Sequence, residues 1–229
     1  MEAPTLTTRK IETVSPSERK EICDGLRYGI EGDFALGTRS ASQICKWARI
    51  AAKQLFHVIG VGAVVQRMTD EALEAQLKLQ ATWPATTDCD RLESAFTELD
   101  GSGILARHEY AFAPGDGHQF IGEEIAFLRS TRNEIRGYVF YDDQTLMNVH
   151  DNHGLHLSYG RASEIHELAI GHQIRECLRR HGLSSRHPFK GCSTILVSLK
   201  WQRRYKPDGS VTPLRPKGVP GIVRYYVGN

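Results

Sequence analysis

The chain has 229 residues, of which 40% are hydrophobic and 24% charged, and its formal net charge is +2. These proportions are typical of a folded globular protein and exclude an intrinsically disordered one. The net charge is too small to favour nucleic acid as a partner, and the length allows one large or two small domains.

No membrane span and no secretory leader is predicted. The sequence contains no apolar run of the roughly 18 residues that a bilayer-spanning helix needs, and its N-terminus has no secretory core. The five cysteines are scattered, with no pair at metal-ligand spacing. We therefore expect a cytoplasmic protein without disulfides, and we predict no cofactor.

The first hundred residues are predicted to be helical. Ser15 is a helix N-cap, Pro16 suits the first helical position, and Glu18 is placed to close a capping box. A second helix has an amphipathic spacing of apolar residues, at Ile44, Trp47, Ala48, Ala51 and Leu55. After a break at residues 60–65, a third helix is predicted from Thr69, and a fourth follows a cap at Thr87 or Asp88.

Past Gly103 the pattern changes to alternating strands and helices. Strands are predicted at 104–112, 136–141, 154–160 and 193–201, with helices at 120–128 and 163–181 and a turn at 114–117. This order predicts an α+β fold with a βαββαβ (split βαβ, ferredoxin-like) antiparallel sheet and both helices on one face. A hairpin turn at 206–209 predicts a C-terminal strand extension of that sheet.

The domain prediction is a helical region, 1–100, followed by an α/β sandwich domain, 101–229, although one continuous domain is also compatible with the pattern.

One segment has the composition of a metal site. His150, Asp151, His153 and His156 place three imidazoles and a carboxylate within seven residues, which suits a three-ligand site with an open position. Strand alternation would turn His156 away from Leu155 and Leu157. The alternative is therefore a polar loop that leads into a strand.

Other side chains have a possible binding role. The aromatic strand with Gln144 is compatible with stacking of RNA bases, or with core packing. His118 with Glu123 and Glu124 could form an acid–base group, or the acids could simply favour the helix N-terminus. As binding residues we predict Tyr141, Gln144, Tyr159, Arg203 and Arg204. From Lys200 onward the chain has seven Lys or Arg residues and one acid, Asp208.

Several motifs resemble those of an uncharacterised bacterial domain family of unknown function. They are QATWP at 80–84, TDCDRL at 87–92, AF at 95–96, GI at 103–104, GYVFY at 137–141 with Gln144, and GLHLSYG at 154–160. The resemblance covers roughly residues 64–204. That family has a cysteine-rich segment after its first strand, which residues 110–117 lack, and Gln-Asp where this chain has Gln144-Thr145. The resemblance implies a fold outline and a bacterial source, and no mechanism.

No catalytic motif for a serine or cysteine nucleophile and no phosphate-binding loop is present. We therefore predict a non-enzymatic protein that binds another protein, with neutralisation of a toxin by an immunity protein as one concrete form. A metal-dependent hydrolase or small-ligand enzyme that uses the 150–156 cluster is the first alternative, and RNA binding is the second.

Overall fold

The computed structural model describes residues 8–131, 134–149, 153–188, 191–215 and 218. Within these residues the chain forms seven α-helices and seven strands. The described residues separate into two compact units, one formed by 8–83 with 202–212 and the other by those within 84–201 with 213–215 and 218. The chain first passes from one unit to the other between Trp83 and Pro84. The division into a helical region, 1–100, and an α/β domain, 101–229, remains a prediction.

The first unit is helical. Its elements are β1 (Arg9–Lys10), α1 (Pro16–Leu36), α2 (Ala41–Leu55), β2 (Val58–Ile59) and α3 (Gly62–Gln80), and β1 pairs with β2 in parallel. The predicted N-cap of α1 is confirmed, because the Ser15 side chain accepts a hydrogen bond from the Glu18 amide. The side chain of Glu18 pairs with Arg9. The core of the unit is formed by apolar residues of all three helices.

Two helical predictions are wrong in detail. Helix α3 begins at Gly62, seven residues before Thr69, because the segment predicted as a break forms its first turns. Leu55, placed on the apolar face of α2, is 71% exposed. It is the last residue of that helix, and Ala52 occupies the buried position at the same end.

The C-terminal hairpin belongs to the first unit. The predicted turn forms, since the Gly209 amide donates to the Lys206 carbonyl and Tyr205 bridges to Val211. Tyr205 is 3% exposed, packs its ring against Phe34 and donates its hydroxyl to the Arg39 carbonyl. The hairpin at 205–211 therefore does not extend the sheet, because the Tyr205 ring is buried among the helices of the first unit. The rest of the predicted extension beyond residue 215, apart from residue 218, lies outside the described residues.

The second unit contains α4 (Asp88–Gly101), β3 (Ile104–Arg107), α5 (Pro114–Leu128), β4 (Gly137–Phe140), α6 (Asp143–Val149), β5 (Leu155–Arg161), α7 (Glu167–Arg180), β6 (Ser184–Arg186) and β7 (Thr194–Ser198). The strands form one mixed sheet in the order β3-β4-β5-β7-β6. The predicted α+β class is confirmed. The ferredoxin-like topology is wrong, because β3 and β4 are parallel neighbours joined by the crossover helix α5, with no strand between them.

Helices cover both faces of this sheet, whereas the prediction placed them on one. Helix α5 packs Ile121 and Ile125 against Leu105 and Phe140. Helix α7 lies on the opposite face, where a Cβ at Gly137 would come within 2.7 Å of Ile170. The predicted turn at 114–117 is the first turn of α5, since Pro114 occupies the first helical position.

None of the helices that the structure describes is both long enough and apolar enough to cross a membrane.

Candidate functional sites

The three aromatic and amide residues predicted to bind a ligand do not share a surface. Tyr141 is fully buried, with its hydroxyl 3.2 Å from His108 Nδ1. Tyr159 is 1% exposed, packs against Gly171 and donates its hydroxyl to the Cys192 carbonyl at 3.4 Å. Gln144 is exposed on α6. The two tyrosines therefore contribute to the core.

The two predicted binding arginines are engaged within the first unit. Arg203 is 4% exposed, and its guanidinium donates to the Thr212 carbonyl at 2.6 Å. The Arg204 guanidinium lies 6.0 Å from the centre of the Trp83 ring. Lys217 and Arg224, which completed the predicted basic segment, lie outside the described residues.

The predicted metal segment is only partly described. His150 and Asp151 lie outside the described residues, His153 is exposed, and His156 is half-buried on β5 between the buried Leu155 and Leu157. Neither described histidine belongs to a three-ligand group within the described part of the chain. The 150–156 site remains a prediction.

One polar cluster does form beside β4. His118 of α5 places Nδ1 3.1 Å from the Tyr138 hydroxyl and its ring edge-on to Phe140. Burial lowers the pKa of His118, and the carboxylates of Glu167 and Asp142 oppose that effect. Burial and Glu167 together raise the pKa of Tyr138. His118 thus pairs with a tyrosine, and not with the acids at 123 and 124 that the sequence suggested.

Glu124 instead belongs to a buried ion network. The Arg107 guanidinium contacts the Glu124 carboxylate at 2.7 Å and also pairs with Asp100. The Tyr110 hydroxyl donates to the second Glu124 oxygen at 2.8 Å. Arg107 is 3% exposed and Glu124 fully buried. This network fixes α5 to the end of β3 and leaves Glu124 no role as a solvent-facing base.

Asp142 follows β4 and is fully buried. Its Oδ1 accepts the Thr145 amide at 2.9 Å, while Oδ2 has no hydrogen-bond partner among the residues described. Burial raises the pKa of Asp142, with hydrogen bonds from Thr145 opposing it. Folding therefore favours the protonated carboxyl. The stability that this preference contributes is fully present at low pH and is lost as the pH rises through the folded-state pKa.

Replacing Asp142 with asparagine should consequently stabilise the protein at pH 7. Asparagine retains an oxygen for the Thr145 amide and removes the buried charge. We expect the free energy of unfolding to exceed that of the wild type at pH 7, and the gain to shrink below about pH 4, where aspartate is protonated in the unfolded chain. Urea denaturation over a pH series measures both values.

The exposed neighbour provides the control for this experiment. Asp143→Asn makes the same charge change one residue away, at an exposed position, and should not reproduce the gain. A loss of stability in Asp142→Asn at pH 7 would contradict the interpretation that the buried charge is unfavourable.

Helix α2 presents a basic surface. Lys46, Arg49 and Lys53 are exposed and line, with Ile50, a groove of about 470 Å³. The helix contains no Asp or Glu. Within the described residues none of these three cations forms an ion pair, and Arg49 reaches only the Gln66 amide oxygen, at 3.5 Å. We call Lys46, Arg49, Ile50 and Lys53 the α2 basic stripe.

The neighbouring helices are different. In α3 both cations are paired, Arg67 with Glu71 and Lys78 with Glu74. In α1, Lys20 pairs with Asp24 and Arg27 with Glu71. The third cation of α1, Arg19, donates to the Glu12 backbone carbonyl instead. The α2 basic stripe was not predicted from the sequence, since the prediction for this helix rested on its apolar face. The signal was present as cations at i, i+3 and i+7 in a helix without an acid.

One group of three metal-ligand side chains lies within the described residues. It consists of Glu98 on α4 with Cys177 and His181 at the end of α7, and one ligand atom from each lies within 4.8 Å of the others. The spacing that identifies the group is Cys177 to His181, i and i+4 on one helical face.

Comparison with known proteins yields one match. No curated protein and no solved structure matches the chain. The model of a family described as a domain of unknown function, DUF6891, matches residues 19–205. This match confirms the predicted resemblance to an uncharacterised family and extends it toward the N-terminus, into α1. The chain belongs to the DUF6891 family.

Proposed function

We propose that this protein acts by binding an acidic surface of another protein through the α2 basic stripe. The observation that carries the proposal is the contrast between helices of one unit. Helices α1 and α3 pair four of their five cations with acids of the same unit, the exception being Arg19, while α2 has three exposed cations and no acid. Arg49 is linked to an acid indirectly: it donates to the Gln66 amide oxygen, and the Gln66 amide nitrogen donates to the Asp70 carboxylate.

The composition of the stripe favours a protein over a nucleic acid. Ile50 lies among the cations and offers an apolar contact within a charged rim, which is the usual arrangement of a protein interface. Single-stranded nucleic acid is usually bound on aromatic stacking platforms, and the residues that line this groove include no aromatic side chain. The three cations extend over about 10 Å of helix, which suits one short acidic segment.

The stripe would act chiefly on encounter and orientation. Complementary charge raises the association rate and rejects wrong partners, while each exposed pair contributes about 0.2–1 kcal/mol. An acidic toxin neutralised by this protein is one partner of the required chemistry.

The test uses two anionic probes with the same number of units. One is a fluorescent 20-residue poly-glutamate peptide, and the other is a fluorescent 20-nucleotide oligo(U). We expect the peptide to bind the full chain more tightly at low salt. A triple variant, Lys46→Gln, Arg49→Gln and Lys53→Gln, should weaken peptide binding roughly tenfold, as expected for three exposed pairs of about 0.5 kcal/mol each. Fluorescence anisotropy measures both affinities.

A matched triple variant separates the stripe from net charge. Lys10→Gln, Arg186→Gln and Lys206→Gln remove the same charge from exposed positions elsewhere and should weaken binding less than the stripe variant. Equal weakening by both triples would overturn the proposed site. If oligo(U) bound more tightly than the peptide, and the stripe variant lost that binding, the partner would be a nucleic acid and not a protein.

A further inference from the structure

The Glu98, Cys177 and His181 group lies in the second unit and is independent of the α2 basic stripe. Cys177 and His181 are separated by one helical turn, so their side chains leave α7 on the same side. Glu98 reaches the same point from α4, with its carboxylate 2.8 Å from His181 Nε2. The three ligand atoms lie within 4.8 Å of one another.

The chemistry of these three atoms is that of a transition-metal site. Thiolate, imidazole and carboxylate are all zinc ligands, and three protein ligands with an open fourth position are typical of zinc sites that bind water or a substrate. The Cys177 residue is 1% exposed, whereas the side chains of His181 and Glu98 are 25% and 43% exposed. A cation could therefore enter from solvent and be held against the buried sulfur.

The surroundings of the three ligands provide a cavity for the ion and a second carboxylate for Arg180. Glu98 and Cys177 line a cavity of about 260 Å³, together with Arg180. Arg180 pairs with Glu98 and also lies 4.0 Å from Glu176, so it has a second carboxylate to which it can move. In the structure, the positive charge beside Glu98 comes from Arg180. A bound metal ion would take over that role if Arg180 moved to Glu176.

We propose that Glu98, Cys177 and His181 bind a divalent transition-metal ion of the zinc class, with water at the fourth position. On binding, a sulfur–metal bond replaces the S–H bond of Cys177, and the thiol proton passes to solvent. His181 contributes the neutral Nε2 lone pair, and Glu98 one carboxylate oxygen. The ion would tie α4 to the end of α7. No cofactor was predicted from the sequence, because the Glu98 ligand lies on α4, far along the chain from Cys177 and His181.

Cobalt is the probe for this site, because Co²⁺ takes zinc sites and reports a thiolate ligand by a near-ultraviolet charge-transfer band. Titration of the chelator-treated full chain with Co²⁺ should produce that band with a stoichiometry of one, and added Zn²⁺ should abolish it. Cys177→Ser should remove the band, while Cys89→Ser, which replaces another buried cysteine of the same unit, should retain it.

A second pair of variants keeps the test informative if Cys177→Ser does not fold. Glu98→Gln and His181→Asn should each weaken Co²⁺ binding at least tenfold with the band still detectable at high metal, since the thiolate remains. No band in the wild-type chain, or a band lost in Cys89→Ser and kept in Cys177→Ser, would overturn the proposal.

Discussion

Arg107→Met should lower the free energy of unfolding by about 3–5 kcal/mol, the cost of breaking a buried ion pair by removing one partner. The Arg107 side chain neutralises Glu124 and Asp100 at the end of β3. Without it, the Glu124 carboxylate keeps only the Tyr110 hydroxyl as a hydrogen-bond donor of those described here, at a position with no solvent exposure. Urea denaturation followed by circular dichroism measures the loss.

An exposed ion pair of the same unit provides the comparison. Arg179→Met removes the partner of Glu176 on the surface of α7, and we expect a loss below about 1 kcal/mol. Adding Glu124→Gln to Arg107→Met should restore part of the lost stability, because the amide carries no buried charge. If Arg107→Met and Arg179→Met lowered the free energy of unfolding by similar amounts, the charges around Arg107 would not be buried in solution.

Alanine at the two interior glycines of α5 should change stability in opposite directions. A Cβ at Gly117 would lie 2.3 Å from the ring of Phe140, which is fully buried and has little room to move. Overpacking of this kind costs about 1–3 kcal/mol. At Gly122 no described atom apart from the nearby backbone of α5 itself lies within 4 Å of the added Cβ, so Gly122→Ala should stabilise the helix by about 0.5–1 kcal/mol.

The two variants share a helix, a glycine and a substitution, so helix propensity affects them equally. The difference between their midpoints of thermal unfolding therefore measures the contact with Phe140. A stabilised Gly117→Ala variant would mean that α5 does not approach β4 as closely as the structure has it.

Local sequence signals predicted most of the helices and strands, but few of the contacts between them. The Ser15 and Thr87 caps were predicted because the capping hydrogen bonds lie within three residues of each helix start. The direct pairing of β3 with β4 was not predicted, because it depends on whether a strand from later in the chain inserts between them. Nothing in the alternation of residues 104–112 or 136–141 encodes that choice.

The candidate sites also differ in whether they depend on spacing along one helix or on residues distant in sequence. The α2 basic stripe could have been found from the sequence, since it depends on spacing along one helix. The burial of Tyr141 and Arg203 could not, because each is enclosed by residues distant in sequence, such as His108 and Gly37. Glu98 is likewise separated from Cys177 by most of the second unit, and only the Cys177–His181 half of that group was open to sequence reasoning.

The position of Tyr205 sets the order in which the first unit can be completed during synthesis. Its ring closes over Phe34 and its backbone amide donates to the Gln80 side chain, yet it follows residues 84–201 of the second unit in the chain. A ribosome that has released α1, α2 and α3 has therefore released an incomplete core, which stays open while more than a hundred further residues are made. The nascent helices are expected to need a chaperone during that interval.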